Sequence, residues 1–185
     1  MMKPLIVSTP KRILDWDVET IAAGFADPNW VPQFITVVAW SWVGSDEVHA
    51  HTRLGSRDEM LKEIRHLVSS ADMVTGHNML RFDLPILQSE LLRNGFASLP
   101  PVLVQDTIKL VKTKGFKKGQ DNLSTLLRVP AGKMALSWQE WQDAYDEEDW
   151  QTVVDRCKGD VVQHKLMRAE MLERGWLKPP VLWKP

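Results

Sequence analysis

Residues 13–20 read ILDWDVET, a hydrophobic strand that ends in acidic positions. On an extended chain alternate residues project from one face, so Asp17 and Glu19 point the same way, with Asp15 in the same period. Paired carboxylates at the end of a strand are either a solvated edge or part of a metal pocket. The rest of the chain has to decide between them.

Working outward, 12–18 reads as a first strand and 22–33, with two prolines and a glycine, as a loop. FITVVAWSWVG (34–44) is β-branched and aromatic, with a GSD turn behind it, and EVHAHTR (47–53) alternates apolar and polar residues. These three runs predict an antiparallel meander. The period then changes: Leu61, Ile64, Leu67 and Val68 form a helical stripe, with Ser56 as N-cap and Glu59 as its box partner. A short strand at 72–78, a helix over 81–95 and another strand at 102–107 follow. Strands alternating with helices after a hairpin region predict a mixed α/β sheet of five strands, the first three antiparallel and the others parallel, flanked by helices. DNLSTLLRV predicts a short helix, and 137–175 two more. In the second of these, Val153, Val154, Cys157, Val161, Leu166, Met167 and Leu172 make an apolar stripe. The proline-rich tail, 176–185, is expected to lie against the body or fray.

The chain has 185 residues, enough for one well-buried core, and no linker divides it. It reads as a single domain over 1–185, with a core at about 12–175. A formal net charge of −1 excludes a strongly basic DNA-coating protein, but not an enzyme with a local basic patch. The single cysteine, Cys157, excludes an intrachain disulfide framework and a cysteine-based zinc cluster. With no long apolar span and no signal-peptide pattern, a cytoplasmic protein with no membrane association is expected. Nine tryptophans are many for this length, and Trp138, Trp141 and Trp150 sit at spacings that suit core packing.

Two divalent ions about 4 Å apart can activate a water and stabilise the leaving oxygen in phosphoryl hydrolysis, and magnesium takes oxygen ligands. Such a site needs acids from several elements, and four candidates are Asp17, Glu19, Asp83 and Asp160. Taken singly each has an ordinary explanation: Asp83 as a helix N-terminal acid, Asp160 as a solvated helix position. Asp160 follows a glycine within an apolar stripe, in CKGDVV, where a glycine would let another element approach closely.

The four in order, in DWDVET, GHNMLRFDLPIL and RCKGDVVQHKLM, resemble the DEDD superfamily of 3′–5′ exonucleases, DnaQ-like enzymes with a ribonuclease-H-like fold. The likeness runs from about Ile13 to Leu172. Its first motif is matched by Asp17 and Glu19, its second by Asn78, Phe82 and Asp83, and its last aspartate by Asp160. Asp106 and Asn122–Leu123 resemble accessory positions of phage and polymerase-related members. The resemblance implies a stand-alone, phage-type nuclease that trims 3′ ends of single-stranded or frayed DNA with two Mg²⁺ or Mn²⁺ ions. Asp17 would bridge the ions, Glu19 and Asp160 would hold one of them, and Asp83 would act through the water shell. Asn78 and Thr20 would border the terminal nucleotide, and backbone phosphates would supply most of the binding. RNA as substrate, or nucleic-acid binding with little catalysis, are the alternatives. A monomer or weak oligomer is expected.

The pattern breaks at one place. The family's general base is a tyrosine four residues before the last aspartate or a histidine five before it. Here those positions hold Arg156 and Asp155. A guanidinium cannot accept a proton, although it can hold a phosphate through parallel hydrogen bonds. Three explanations stand side by side: metal activation alone with Arg156 on the phosphate, a proton acceptor at His164 or His77, or a protein that binds without cutting. The lysines at 109, 112, 114, 117 and 118, with no acid among them, read as a phosphate-tracking edge in which Lys117 and Lys118 contact substrate.

Overall fold

A computed structural model describes residues 11–21, 33–130 and 136–185, the side chain of Trp138 excepted. Most of the predicted loop at 22–33, and the packing of Trp138, therefore lie outside the described residues. Strands β1 (Ile13–Ile21), β2 (Phe34–Trp42) and β3 (His49–Thr52) form the expected antiparallel meander. Strands β4 (Met73–Gly76) and β5 (Val102–Asp106) extend the sheet from β1 in parallel. The tail supplies a sixth strand, β6 (Val181–Trp183), antiparallel to β5, which gives the order β3-β2-β1-β4-β5-β6. The sheet is thus mixed, as expected, but has six strands rather than five. Of the two outcomes expected of the tail, it lies against the body: Pro179 and Pro180 sit just before an edge strand, where a missing N–H is tolerated.

Helices α1 (Arg57–Ser70) and α2 (Asp83–Arg93) pack on one face of the sheet. Met60, Leu61, Ile64 and Val68 of α1 join Leu84, Leu87 and Leu91 of α2 in the main core with Leu14, Trp16 and Val18. Ser56 caps α1 by accepting from the Glu59 N–H at 3.2 Å. Helix α2 is shorter at both ends than the 81–95 expected. Helices α3 (Gln120–Leu127), α4 (Trp138–Asp146) and α5 (Trp150–Glu173) complete the fold.

Helix α5 lies on the opposite face, where Val153, Cys157 and Val161 pack against Val37 and Ala39 of β2. Beyond that point its apolar stripe differs from the one expected. Met167 and Met171 are buried against α3, while Leu166 and Leu172 are exposed. Residues 153, 157, 160, 164, 167 and 171 keep the three- and four-residue steps of one helical face, and two of them, Asp160 and His164, are polar. Asp15, Asp17 and Glu19 share the face of β1 that α5 covers, so the helix seats its polar positions over the acidic end of the strand. No described helix is long and apolar enough to cross a membrane.

Candidate metal and nucleic-acid site

The two candidate carboxylates of β1 meet the one on α5. One oxygen each of Asp17, Glu19 and Asp160 lies within 4.8 Å of the others. Asp17 and Glu19 are partly buried, and Asp160 is buried rather than solvated. A β-bulge between Glu19 and Thr20 shifts the β1–β2 register at this point, and the Glu19 carbonyl accepts from Thr36 Oγ1 at 3.0 Å. A bulge re-aims side chains locally, and here it falls at the second carboxylate.

Three hard oxygen donors, close together and from two rigid elements, are a donor set that fits a divalent cation such as Mg²⁺ or Mn²⁺. Charge is also compensated from within the chain. Arg156 donates through Nε to Asp160 Oδ2 at 2.9 Å and lies 3.6 Å from Glu19 Oε1. Gln120, which the sequence reading passed over, donates through Nε2 to the Asp160 carbonyl at 2.8 Å and to Gln163 Oε1 at 3.1 Å. It stands at the start of α3 and ties that helix to the site.

Asp83 joins from the other face of the sheet. As the first residue of α2 it is buried, and its Oδ1 accepts from the Val18 N–H, between Asp17 and Glu19, at 3.2 Å. Burial outweighs the hydrogen bonds to the Asp83 and Val18 amides, and with the charges of Asp106 and Glu19 it raises the carboxyl pKa from 3.8 to about 7. Asp83 is thus coupled to the cluster electrostatically. Among the described residues, the carboxylates that come together are those of Asp17, Glu19 and Asp160.

The turn that leads into Asp83 is built around Asp106. Its carboxylate accepts from the amides of Asn78 at 2.8 Å, Leu80 at 3.1 Å and Ile108 at 3.1 Å. Asn78 turns the chain with φ 64°, a left-handed conformation that asparagine tolerates. Gly76, two residues before it, has no room for a side chain: a Cβ would stand 2.9 Å from the Trp16 carbonyl and 2.6 Å from the Met79 side chain. Phe82 packs on the edge of the main core and flanks α2 as its N-cap. Thr20 Oγ1 accepts from Gln33 Nε2 at 2.7 Å.

Both histidines belong to a buried polar chain. His164 Nδ1 is 2.8 Å from each carboxylate oxygen of Asp15, and its Nε2 is 3.1 Å from Thr107 Oγ1. Thr107 Oγ1 in turn lies 2.9 Å from His77 Nδ1. His164 is thus a buried residue rather than one lying open on the helix surface. Both of its ring nitrogens are engaged in the interior, turned toward Asp15 and Thr107. Asp15, in the same period as Asp17 and Glu19 but outside the carboxylate cluster, is its buried partner.

Cys157 packs beneath the cluster, with Sγ donating to the Asp17 carbonyl at 3.6 Å. Burial, reinforced by the carboxylates of Asp17, Glu19, Asp160 and Asp83, pushes its thiol pKa well above the ordinary value. Asn122 is exposed, whereas Leu123 packs with Leu110, Met167 and Met171 between α3 and α5. Lys118 lines a cleft with Arg81, Lys109 and Lys178, whereas Lys117 is exposed and outside that lining.

The sequence matches no protein-family profile and no curated protein. Among solved structures, the fold is similar to the family B DNA polymerase from the hyperthermophilic archaeon Pyrobaculum calidifontis. The TM-score is 0.67 at 16% sequence identity, over 87% of this chain and 24% of the polymerase chain. The likeness therefore spans about a quarter of the polymerase, and what it establishes is a shared fold: a mixed α/β sheet flanked by helices, in general agreement with a ribonuclease-H-like architecture.

Proposed function

We propose that this protein is a metal-dependent 3′–5′ exonuclease that hydrolyses phosphodiester bonds at single-stranded or frayed DNA ends. The observation that carries the reading is the convergence of Asp17, Glu19 and Asp160 within 4.8 Å, from two elements far apart in sequence. The likeness in fold to a DNA polymerase and the ordered motifs around these acids support it.

In this reading Asp17, Glu19 and Asp160 would hold Mg²⁺ or Mn²⁺. The bound cations supply activation of water and stabilisation of the leaving oxygen. Arg156 turns its guanidinium from the carboxylates to the scissile phosphate, where its fork suits paired phosphate oxygens. Asn78, held by Asp106, together with Thr20 and Phe82 borders the 3′-terminal nucleotide. Asp83 stays partly protonated near neutral pH until positive charge enters the cluster. Residues 12–175 form the catalytic body.

A strand labelled at each end tests this. With Mn²⁺, the 3′ label should leave first as a mononucleotide while the 5′ label traces a descending ladder, and EDTA should stop both. Release of the 5′ label first, or cleavage unaffected by EDTA, would contradict the proposal. A second reading, a nucleic-acid-binding module that cuts little, draws on Arg156, which already places a cation against two of the carboxylates. Retention of DNA without shortening would favour it.

A further inference from the structure

A cleft of about 250 Å³ just beyond the end of β5 is lined by Arg81, Ile108, Lys109, Leu110, Lys118 and Lys178. Four cations and no acid form this lining. Among the described residues none of the four makes an ion pair, so their charge is not spent on neighbouring carboxylates. Arg81 stands two residues before Asp83, and Lys118 two residues before Gln120, which binds Asp160. The cleft therefore opens between two of the segments that build the candidate site.

Lys178 comes from the tail, and the backbone fixes it there. Leu177 pairs with Leu110 in an antiparallel bridge, and the Val111 N–H donates to the Trp176 carbonyl at 3.0 Å. A second cleft, of about 400 Å³, shares Lys109 and Lys178 and continues along Pro179, Pro180 and Val181 toward β6. Its one acid is Asp106, whose oxygens already accept three backbone N–H groups. The second cleft adds apolar surface rather than charge; the four cations themselves come from three stretches of chain, at 81, at 109–118 and at 178, and so suit a ligand that carries several phosphates in a row.

We infer that the C-terminal segment 176–181 is part of a nucleic-acid track in which Arg81, Lys109, Lys118 and Lys178 hold successive backbone phosphates of a single strand entering the site. This rests on the nuclease reading for its direction, but the binding can be measured without cleavage. Backbone contact makes the track blind to base sequence and to the sugar, since phosphates carry no information on either.

The test is fluorescence anisotropy of labelled dT20 and rU20 on the full chain in EDTA, over a salt series. Each phosphate contact removed should flatten the slope of log K against log salt by about 0.7 for a single strand. Lys109→Gln/Lys178→Gln should therefore flatten it by about 1.4 and weaken binding roughly tenfold at moderate salt, equally for both strands. Arg81→Gln should flatten it by about 0.7, while Lys62→Gln on α1, on the other face of the sheet, should match wild type. Urea unfolding of each variant separates lost contacts from lost fold. Wild-type affinity and slope in the folded double variant would overturn the track and leave the nuclease reading standing. So would a loss confined to one sugar type. Conversely, a wild-type chain that shows this binding pattern but releases no nucleotide with Mn²⁺ would uphold the track and remove the nuclease reading.

Discussion

Arg156 and Asp160, one helical turn apart on α5, are joined by a 2.9 Å hydrogen bond from the guanidinium Nε to a carboxylate oxygen. The family resemblance expects a proton acceptor at this position, and a guanidinium cannot serve as one. Replacing Arg156 with glutamine removes a cation from the edge of three carboxylates. Mn²⁺ affinity, read by calorimetry, should rise, because the metal no longer competes with a fixed positive charge. Strand trimming should fall roughly 100-fold, the scale of losing one preorganised donor to a developing charge. Trimming at the wild-type rate would remove Arg156 from the phosphate.

Asp15 and His164 form a buried pair, and breaking such a pair leaves a polar group without compensation. Asp15→Ala should lower unfolding free energy by about 1–3 kcal/mol in urea titration, the cost of leaving a buried polar group unpartnered. His164→Gln should likewise lower stability and leave the shape of the pH–rate profile unchanged. A pH profile that loses a limb in this variant would return His164 to the chemistry.

Asp83 gives the metal-free protein a pH dependence whose sign follows from its raised pKa. The unfolded chain releases this proton near 3.8 and the folded chain near 7. Between those values the folded state holds more protons, so stability falls as pH rises through the window. Asp83→Asn keeps an acceptor for the Val18 amide and has no proton to lose. It should match wild type at pH 4 and be more stable above pH 7, by at most about 4 kcal/mol. Thermal unfolding in EDTA across that range reads the difference, and parallel curves would contradict the assignment.

Cys157 should resist thiol reagents at pH 8 in the folded protein and react at once in urea, since burial and four carboxylates oppose the thiolate. Rapid labelling of the native chain would contradict the packing of α5 on Asp17.

The parts of this architecture that were legible in the sequence rest on local periodicity. Asp17 and Glu19 share a face because strands repeat every two residues, and Ser56 caps α1 through a contact three residues away. The partners of Asp15 were not legible: its imidazole lies 149 positions along the chain, and only the docking of α5 brings it near. For the same reason the burial of Asp160 was not legible from its position in the stripe, since burial of a helical carboxylate depends on which face meets the sheet. The sixth strand escaped notice because proline obscures strand patterning, and an edge strand has half its hydrogen bonds to satisfy. Lys178 entered the cleft with that strand. Gln120 has no motif, and only its geometry against Asp160 marks it.

The central claim is that Asp17, Glu19 and Asp160 form the metal-dependent hydrolytic centre. Its most direct test is a time course on 5′-labelled single-stranded DNA with Mn²⁺, using wild type, Asp17→Ala and Asp160→Ala, each shown to be folded by circular dichroism. The account predicts a ladder shortening one nucleotide at a time from the 3′ end for wild type, and intact strand for both variants. Intact DNA with wild type, or a wild-type ladder from either variant, would contradict it.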